Sequence, residues 1–148
     1  MNLQQAKSTE KKERIKRAGI IPFFIKEGKI QMLFMKPSDP EYGGSHWQIG
    51  KGGIDEGETP VKAAVREGKE ELGLLRNNID QLFSLGSFWS GYFDLFAAVV
   101  KSKKKFVKPH FETKATRWMT WGDWFVEGRR EQTKLVAAAY KIIKSGLQ

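Results

Sequence analysis

Three glutamates, Glu67, Glu70 and Glu71, fall within one short segment whose ends carry strong helix signals, Thr59-Pro60 before it and Leu72-Gly73 after it. Threonine is a good N-cap, proline suits the first helical position and glycine suits the stop, so the spacing predicts a helix over residues 60–72. On a helix the positions i, i+3 and i+4 share one face, which crowds three carboxylates into a single turn. Val61, Ala64, Val65, Gly68 and Leu72 fall on another face, expected to be the core side. Like charges at that spacing repel and call for a cation. Arg66 can supply one by reaching Glu70 a turn on or Glu58 near the helix start, as a brace that holds the acids in place. A metal ion is the other candidate. Carboxylates with no cysteine in the chain and no nearby histidine are hard ligands, which favours Mg²⁺ or Mn²⁺ over zinc. The GKGG stretch at 50–53 reads as a glycine turn through which backbone groups approach an anion beside the helix N-terminus.

The rest of the chain bounds what surrounds that helix. At 148 residues, with ten Phe and five Trp to fill an interior, it fits one domain without disulfide staples. The absence of cysteine suits a reducing compartment, and no run is apolar enough for a membrane span, so a cytoplasmic protein with no membrane partner is expected. A formal charge of +9 favours anionic partners, whether phosphates, nucleic acid or acidic surface.

Residues 1–17 are polar and basic and read as an arm or frayed helix, with residues 18–148 as the single domain. AGIIPFFI and IQMLFM read as the strands of a hairpin about EGK, with Pro22 pointing to an edge position or a bulge. A loop rich in Pro, Gly and Ser leads to a short WQI strand. Beyond the glutamate helix, QLFSLGSFW and YFDLFAAVVK read as strands about Ser90-Gly91, and ATRWMTW as one more. Between them lies the basic loop KSKKKFVKPHFET. REQTKLVAAAYKIIKSG closes the chain as a helix with Leu135, Val136, Ala139, Ile142 and Ile143 facing inward. The pattern is mixed α and β.

Gly52, Glu58, Arg66, Glu67, Glu70, Glu71, Gly73 and Leu74 together match the Nudix box, G x5 E x7 R E U x E E x G U with U a bulky aliphatic, and the chain is identified as a member of that family. Gly68 is the single departure, at a position where the family has an aliphatic residue. Glycine there is expected to remove some packing and to cost about 1 kcal/mol of helix propensity against alanine. The resemblance implies an α/β/α sandwich around a mixed β-sheet and metal-dependent hydrolysis of a nucleoside diphosphate linked to another group. It implies Glu67, Glu70 and Glu71 as metal ligands, the Gly52 carbonyl as a possible further one, and Glu58 with Arg66 as the supporting pair. Glu112, on the loop before the strand that carries Trp118, stands where many of these proteins place a further acid. Glu71 or Glu112 would accept the proton of the attacking water. His46 and His110 are alternative bases or ligands.

HWQIGKGGIDEGE resembles the entry to the box in dinucleoside polyphosphate hydrolases and RNA 5′ pyrophosphohydrolases, with Gly50 in place of their proline. Trp47, Phe88, Trp89 and Tyr92 are candidates to stack a base. Lys36 and Lys51 are candidate substrate contacts. The cluster at 101–105 and the basic arm suit a polyanion longer than a simple nucleotide. The expected substrate is a nucleotide pyrophosphate of the dinucleoside polyphosphate or ADP-ribose type. RNA 5′ ends are the alternative, and a catalytically lapsed scaffold that binds nucleic acid is a reading from another class.

Overall fold

The computed structural model describes residues 16–42 and 44–147. Most of the basic arm therefore lies outside the described residues. Its last two positions are described: Lys16 pairs with Asp94 at 3.2 Å, and Arg17 opens the first strand.

Six strands form one sheet: β1 (Arg17–Lys26), β2 (Lys29–Pro37), β3 (Gly50–Gly53), β4 (Ile79–Phe88), β5 (Phe93–Val100) and β6 (Thr113–Met119). The order is β4-β5-β1-β2-β6, with β3 also on β1. β1 and β5 run parallel and the other pairs are antiparallel, so the sheet is mixed. Helix α1 (Pro60–Leu72) covers one face, and α2 (Trp121–Glu127) with α3 (Thr133–Ser145) covers the other. This is the expected α/β/α sandwich.

Strand alternation builds both cores. On β1, Ala18 and Ile20 face α1 while Ile21 and Phe23 face α3, and on β5 Phe96 and Ala98 oppose Leu95 and Ala97 in the same way. The nearly unbroken apolar run of β1 is what burial on both faces demands. That run overrides the edge reading of Pro22. The strand is central, and Pro22 falls between Ile20, paired with Gly50 of β3, and Phe23, paired with Met32 of β2. The missing N–H sits where that side of β1 has no registered partner. The β1–β2 connection is a two-residue turn at Glu27 and Gly28, both with positive φ, as a tight hairpin requires.

Two other expectations shift. The WQI strand is reduced to bridges at Trp47 and Gln48, and the ladder falls instead on GKGG. ATRWMTW ends as strand at Met119, because Thr120 and Asp123 form a reciprocal capping box that starts α2 at Trp121. Thr-x-x-Asp was the available signal for that helix. In α3 the inward residues are Leu135, Val136, Ala139 and Ile143, while Ile142 is 47% exposed at the edge of the stripe.

Helix α1 starts and stops as the sequence requires. The Thr59 hydroxyl accepts from the Lys62 amide, and Gly73 adopts φ 74 with its amide on the Gly68 and Lys69 carbonyls. The helix is turned relative to the expected face: Ala63, Ala64, Glu67, Gly68 and Leu72 are buried and Val61 is exposed. Gly68 packs directly on β1, and a β-carbon there would lie 2.8 Å from Ile20 Cγ2 and 3.2 Å from Leu74 Cδ2. Glycine at 68 thus sets a close approach of helix to sheet and leaves no gap. Gly68→Ala is expected to lower stability by about 1 kcal/mol net, as overpacking of about 1–3 kcal/mol outweighs a helix-propensity gain near 1 kcal/mol. Thermal or denaturant unfolding checks this, and a rise in midpoint would contradict it.

Candidate active site

The acidic turn of α1 packs on β3 because β3 is made of glycine. None of the β3 glycines has positive φ, so GKGG is extended strand and not the expected turn. A β-carbon on Gly52 would fall 2.2 Å from the Glu67 carboxylate, and one on Gly50 would fall 2.8 Å from the Leu72 side chain. The missing side chains admit the helix, and with it the acids, against the strand.

Arg66 does both things its spacing allowed. Its guanidinium donates to both Glu58 oxygens at 2.9 Å, a two-pronged pair, and to the Gly53 carbonyl at 2.9 Å. It also donates to Glu67 Oε1 at 2.9 Å and to Glu70 Oε1 at 3.3 Å, and lies 3.5 Å from Asp55. One cation therefore ties the helix to its own N-terminal loop, to β3 and to two of the three clustered acids. The bond to Arg66 holds the Glu58 carboxyl at about 2, well below its ordinary value. Glu67 moves the other way, pushed up to about 7 by burial and then by the Glu70 and Glu71 charges, against the pull of Arg66.

Glu71 is half-buried and its Oε1 accepts from the Lys51 amide at 2.8 Å. Burial raises its pKa, the Lys51 amide and ammonium oppose that, and the Glu112 charge adds to it. Glu112 arrives there because the segment before β6 is stapled to the end of α1. The Val107 amide donates to the Gly73 carbonyl, the His110 amide to the Glu70 carbonyl and the Thr113 hydroxyl to the Glu71 carbonyl. Ser38 completes the clasp, its amide on the Glu112 carbonyl and its hydroxyl on that of Phe111.

These elements enclose a cavity of about 610 Å³ whose lining includes Arg17, Lys51, Gly52, Gly53, Glu71 and Glu112. Anionic and cationic groups thus share one space. Lys51 is half-buried, and burial lowers its pKa against the attraction of Glu71. Tyr42 and Phe111 also line the cavity and are 73% and 78% exposed, so they offer ring faces to a ligand. Sequence reading passed over both. Tyr42 stands in a Pro/Gly-rich loop and Phe111 next to Glu112, and that adjacency was the only signal.

Several sequence candidates are not part of this cavity's lining. Along β2, Met35 and Pro37 line it, so alternation turns Lys36 to the other face, where its ammonium lies 4.8 Å from the centroid of Trp47. Trp47 is itself 8% exposed and belongs to the core beneath α3. Trp89 is 46% exposed in the β4–β5 turn, edge-on to Phe93, and is not part of the lining. Phe88 and Tyr92 flank the same turn. His46 lines a separate cavity with Arg129 and Arg130, and the His110 ring lies tilted against Phe111, its centroid 4.0 Å away.

The donor chemistry fits a hard divalent cation, with oxygen ligands only, three clustered carboxyl groups, and Gly52 beneath Glu67 leaving room for its carboxylate. As they stand, no three acidic or histidine side chains among the described residues converge on one point, because Glu67 and Glu70 are turned onto Arg66 and Glu71 onto the Lys51 amide. Glu67, Glu70, Glu71 and the Gly52 carbonyl are the groups that would hold an ion, with Glu112 across the cavity. Among the described residues, no helix is long and apolar enough to cross a membrane.

A family model for the NUDIX domain matches residues 13–144. The chain is 43% identical over 51 residues to an RNA pyrophosphohydrolase of Aliivibrio fischeri, an alignment that takes in 34% of this chain and 29% of that protein. It is 35% identical over 65 residues to an asymmetrical bis(5′-nucleosyl)-tetraphosphatase of Caenorhabditis elegans, 44% of this chain and 45% of that one. The aligned region thus spans less than half the length of either relative. A crystal structure of a C. elegans Ap4A hydrolase binary complex superposes with a TM-score of 0.69 at 24% identity, over 89% of this chain and 98% of that one, a likeness of fold.

A carboxyl whose pKa is raised in the folded state binds its proton more tightly there than in the unfolded chain. The Glu67 contribution therefore favours the fold at low pH and is lost as pH rises from about 4.5 to about 7. Without divalent ions, the protein is expected to melt higher at pH 5.5 than at pH 8, and Glu67→Gln is expected to shrink that difference. Calorimetry at the two pH values checks both. An unchanged difference in the variant would remove Glu67 as its source.

Proposed function

Because the chain belongs to the Nudix family, we propose that it hydrolyses a pyrophosphate bond in a nucleoside diphosphate joined to another group, of the dinucleoside polyphosphate or ADP-ribose type. The products would be a nucleoside monophosphate and a phosphorylated remainder. The observation that carries this reading is the single cavity in which Glu71 and Glu112 share space with Arg17 and Lys51. The cations suit the phosphate chain, and the carboxylates suit water and a hard cation.

Mg²⁺, or Mn²⁺ in its place, would neutralise the pyrophosphate and make water a better nucleophile near neutral pH. The chain's own residues supply the rest. Lys51 and Arg17 hold phosphate oxygens. Glu71 or Glu112 accepts the proton of the attacking water as its oxygen bonds to phosphorus and the bridging P–O bond breaks towards the leaving phosphate. Of the two, Glu71 is desolvated, and the rise in its pKa makes it the stronger proton acceptor for such a step. Arg66 and Glu58 touch no substrate and act by fixing the acids. Tyr42 and Phe111 are the rings placed to stack a base.

Removal of pyrophosphate from RNA 5′ ends is the second reading, favoured by the likeness of the aligned segment to RNA pyrophosphohydrolases. A panel of dinucleoside polyphosphates, ADP-ribose and 5′-triphosphorylated RNA, with products identified and with Mg²⁺ supplied or chelated, decides between them. Turnover of RNA that falls steeply with salt, beside slow turnover of dinucleotides, would favour the second. No turnover of any member, with tight RNA retention, would make the protein a lapsed scaffold. Glu70→Gln and Glu71→Gln are each expected to lower turnover by about 10²-fold or more with an unchanged fold. A Glu71 variant as active as the parent would take that residue out of the mechanism.

A further inference from the structure

The lysine-rich loop after β5 is no free tail. Asn78, fully buried, donates through Nδ2 to the Ser102 and Lys105 carbonyls at 2.8 and 3.1 Å and accepts from the Ser102 amide at 3.0 Å, while its own carbonyl accepts from the Lys101 amide at 2.9 Å. The loop is pinned beside the tip of the β1–β2 hairpin, and the two enclose a groove of about 830 Å³. Lys26 and Lys29 come from the hairpin, and Lys101, Lys103 and Lys104 from the loop, with Glu27 the one acid in the lining. Among the described residues, no carboxylate pairs with any of the five lysines. Lys103 lies over the rings of Phe24 and Trp118 at 5.5 and 5.6 Å, and Phe24 and Tyr140 also line the groove.

Lysines gathered along a concave wall held by a buried asparagine repel one another, a cost that an anion in the space relieves. Lys26 of the groove stands at the opposite end of β1 from Arg17 of the acidic cavity, roughly 30 Å away at ~3.3 Å per residue, and the two linings share no residue. The groove is therefore no part of the catalytic pocket. We propose that this groove binds the phosphodiester backbone of a single-stranded polynucleotide through its lysines. The spread of charge over two elements suits several successive phosphates better than one small anion. A concave, lysine-lined wall suits a strand, where a lipid surface would meet a flat or convex face.

The proposal does not depend on catalysis, so its test uses a ligand that cannot be hydrolysed at a pyrophosphate. An unstructured 20-nucleotide RNA with a 5′-hydroxyl, and a DNA of the same sequence, are titrated with the full chain and with Lys29→Ala/Lys101→Ala/Lys104→Ala by fluorescence anisotropy across salt concentrations. The triple variant is expected to bind at least tenfold more weakly. The slope of log K against log salt is expected to fall by about 2, near 0.7 for each lysine removed. Melting temperature and hydrolysis of a dinucleoside tetraphosphate should stay at parent values. Equal losses on RNA and DNA support backbone recognition, and a loss on RNA alone supports it with a contribution from the 2′-hydroxyl. No binding by the parent, binding unchanged in the variant, or capture by phosphatidylserine vesicles with neither nucleic acid bound would overturn it. Failure of the dinucleotide assay alone would count against the proposed reaction and leave the groove as proposed.

Discussion

One guanidinium makes the acidic site possible. Without Arg66, Glu67 and Glu70 would face each other and Glu71 across a single helical turn, with Glu67 buried against β3. Arg66 reaches all of its partners because the N-terminal loop of α1 folds back to present Glu58, and because Gly53 leaves its carbonyl free to accept. The cost of clustering charge is spread over a network that also fixes the helix to the sheet. The carboxylates are thereby each held by a named partner, Glu67 and Glu70 by Arg66 and Glu71 by the Lys51 amide.

Glycine performs a different task in this site from the one its composition suggests. A run such as GKGG invites a reading as a turn, since glycine tolerates positive φ. Here the backbone is extended, and the glycines matter for the side chains they lack. Gly52 admits the Glu67 carboxylate, Gly50 admits Leu72, and Gly68 on the facing helix admits Ile20. Strand and helix approach closely along this line, and that approach is what brings the Lys51 amide within 2.8 Å of Glu71.

The lysine-rich groove and the carboxylate cluster lie apart in this molecule. The net excess of cations does not dilute the acids: the five lysines of the distal groove lie at the hairpin end of β1, and the carboxylates lie where β1 begins. Asn78 does at the basic end what Arg66 does at the acidic one. It satisfies loop carbonyls and an amide from a buried position and so gives a lysine run a defined shape. Nothing in RNNID marked that asparagine out, because its worth depends on where Ser102 and Lys105 come to lie.

The sequence by itself determined the local chemistry. Thr59, Pro60 and Gly73 bounded the helix, the spacing of Glu67, Glu70 and Glu71 placed three acids on one turn, and the set of charges identified the family. These features are legible because they are carried by neighbours along the chain, at most a few turns apart. Only the tertiary structure decided which way the helix faces, that Pro22 sits mid-sheet between two partners, and that Lys36 and Trp47 turn away from the cavity while Tyr42, Phe111 and Glu112 turn into it. Each of those outcomes rests on contacts between segments far apart in sequence, strand register for Pro22 and Lys36 and loop hydrogen bonds for Phe111 and Glu112. One residue of register moves a side chain to the opposite face of a sheet, and no local pattern records it.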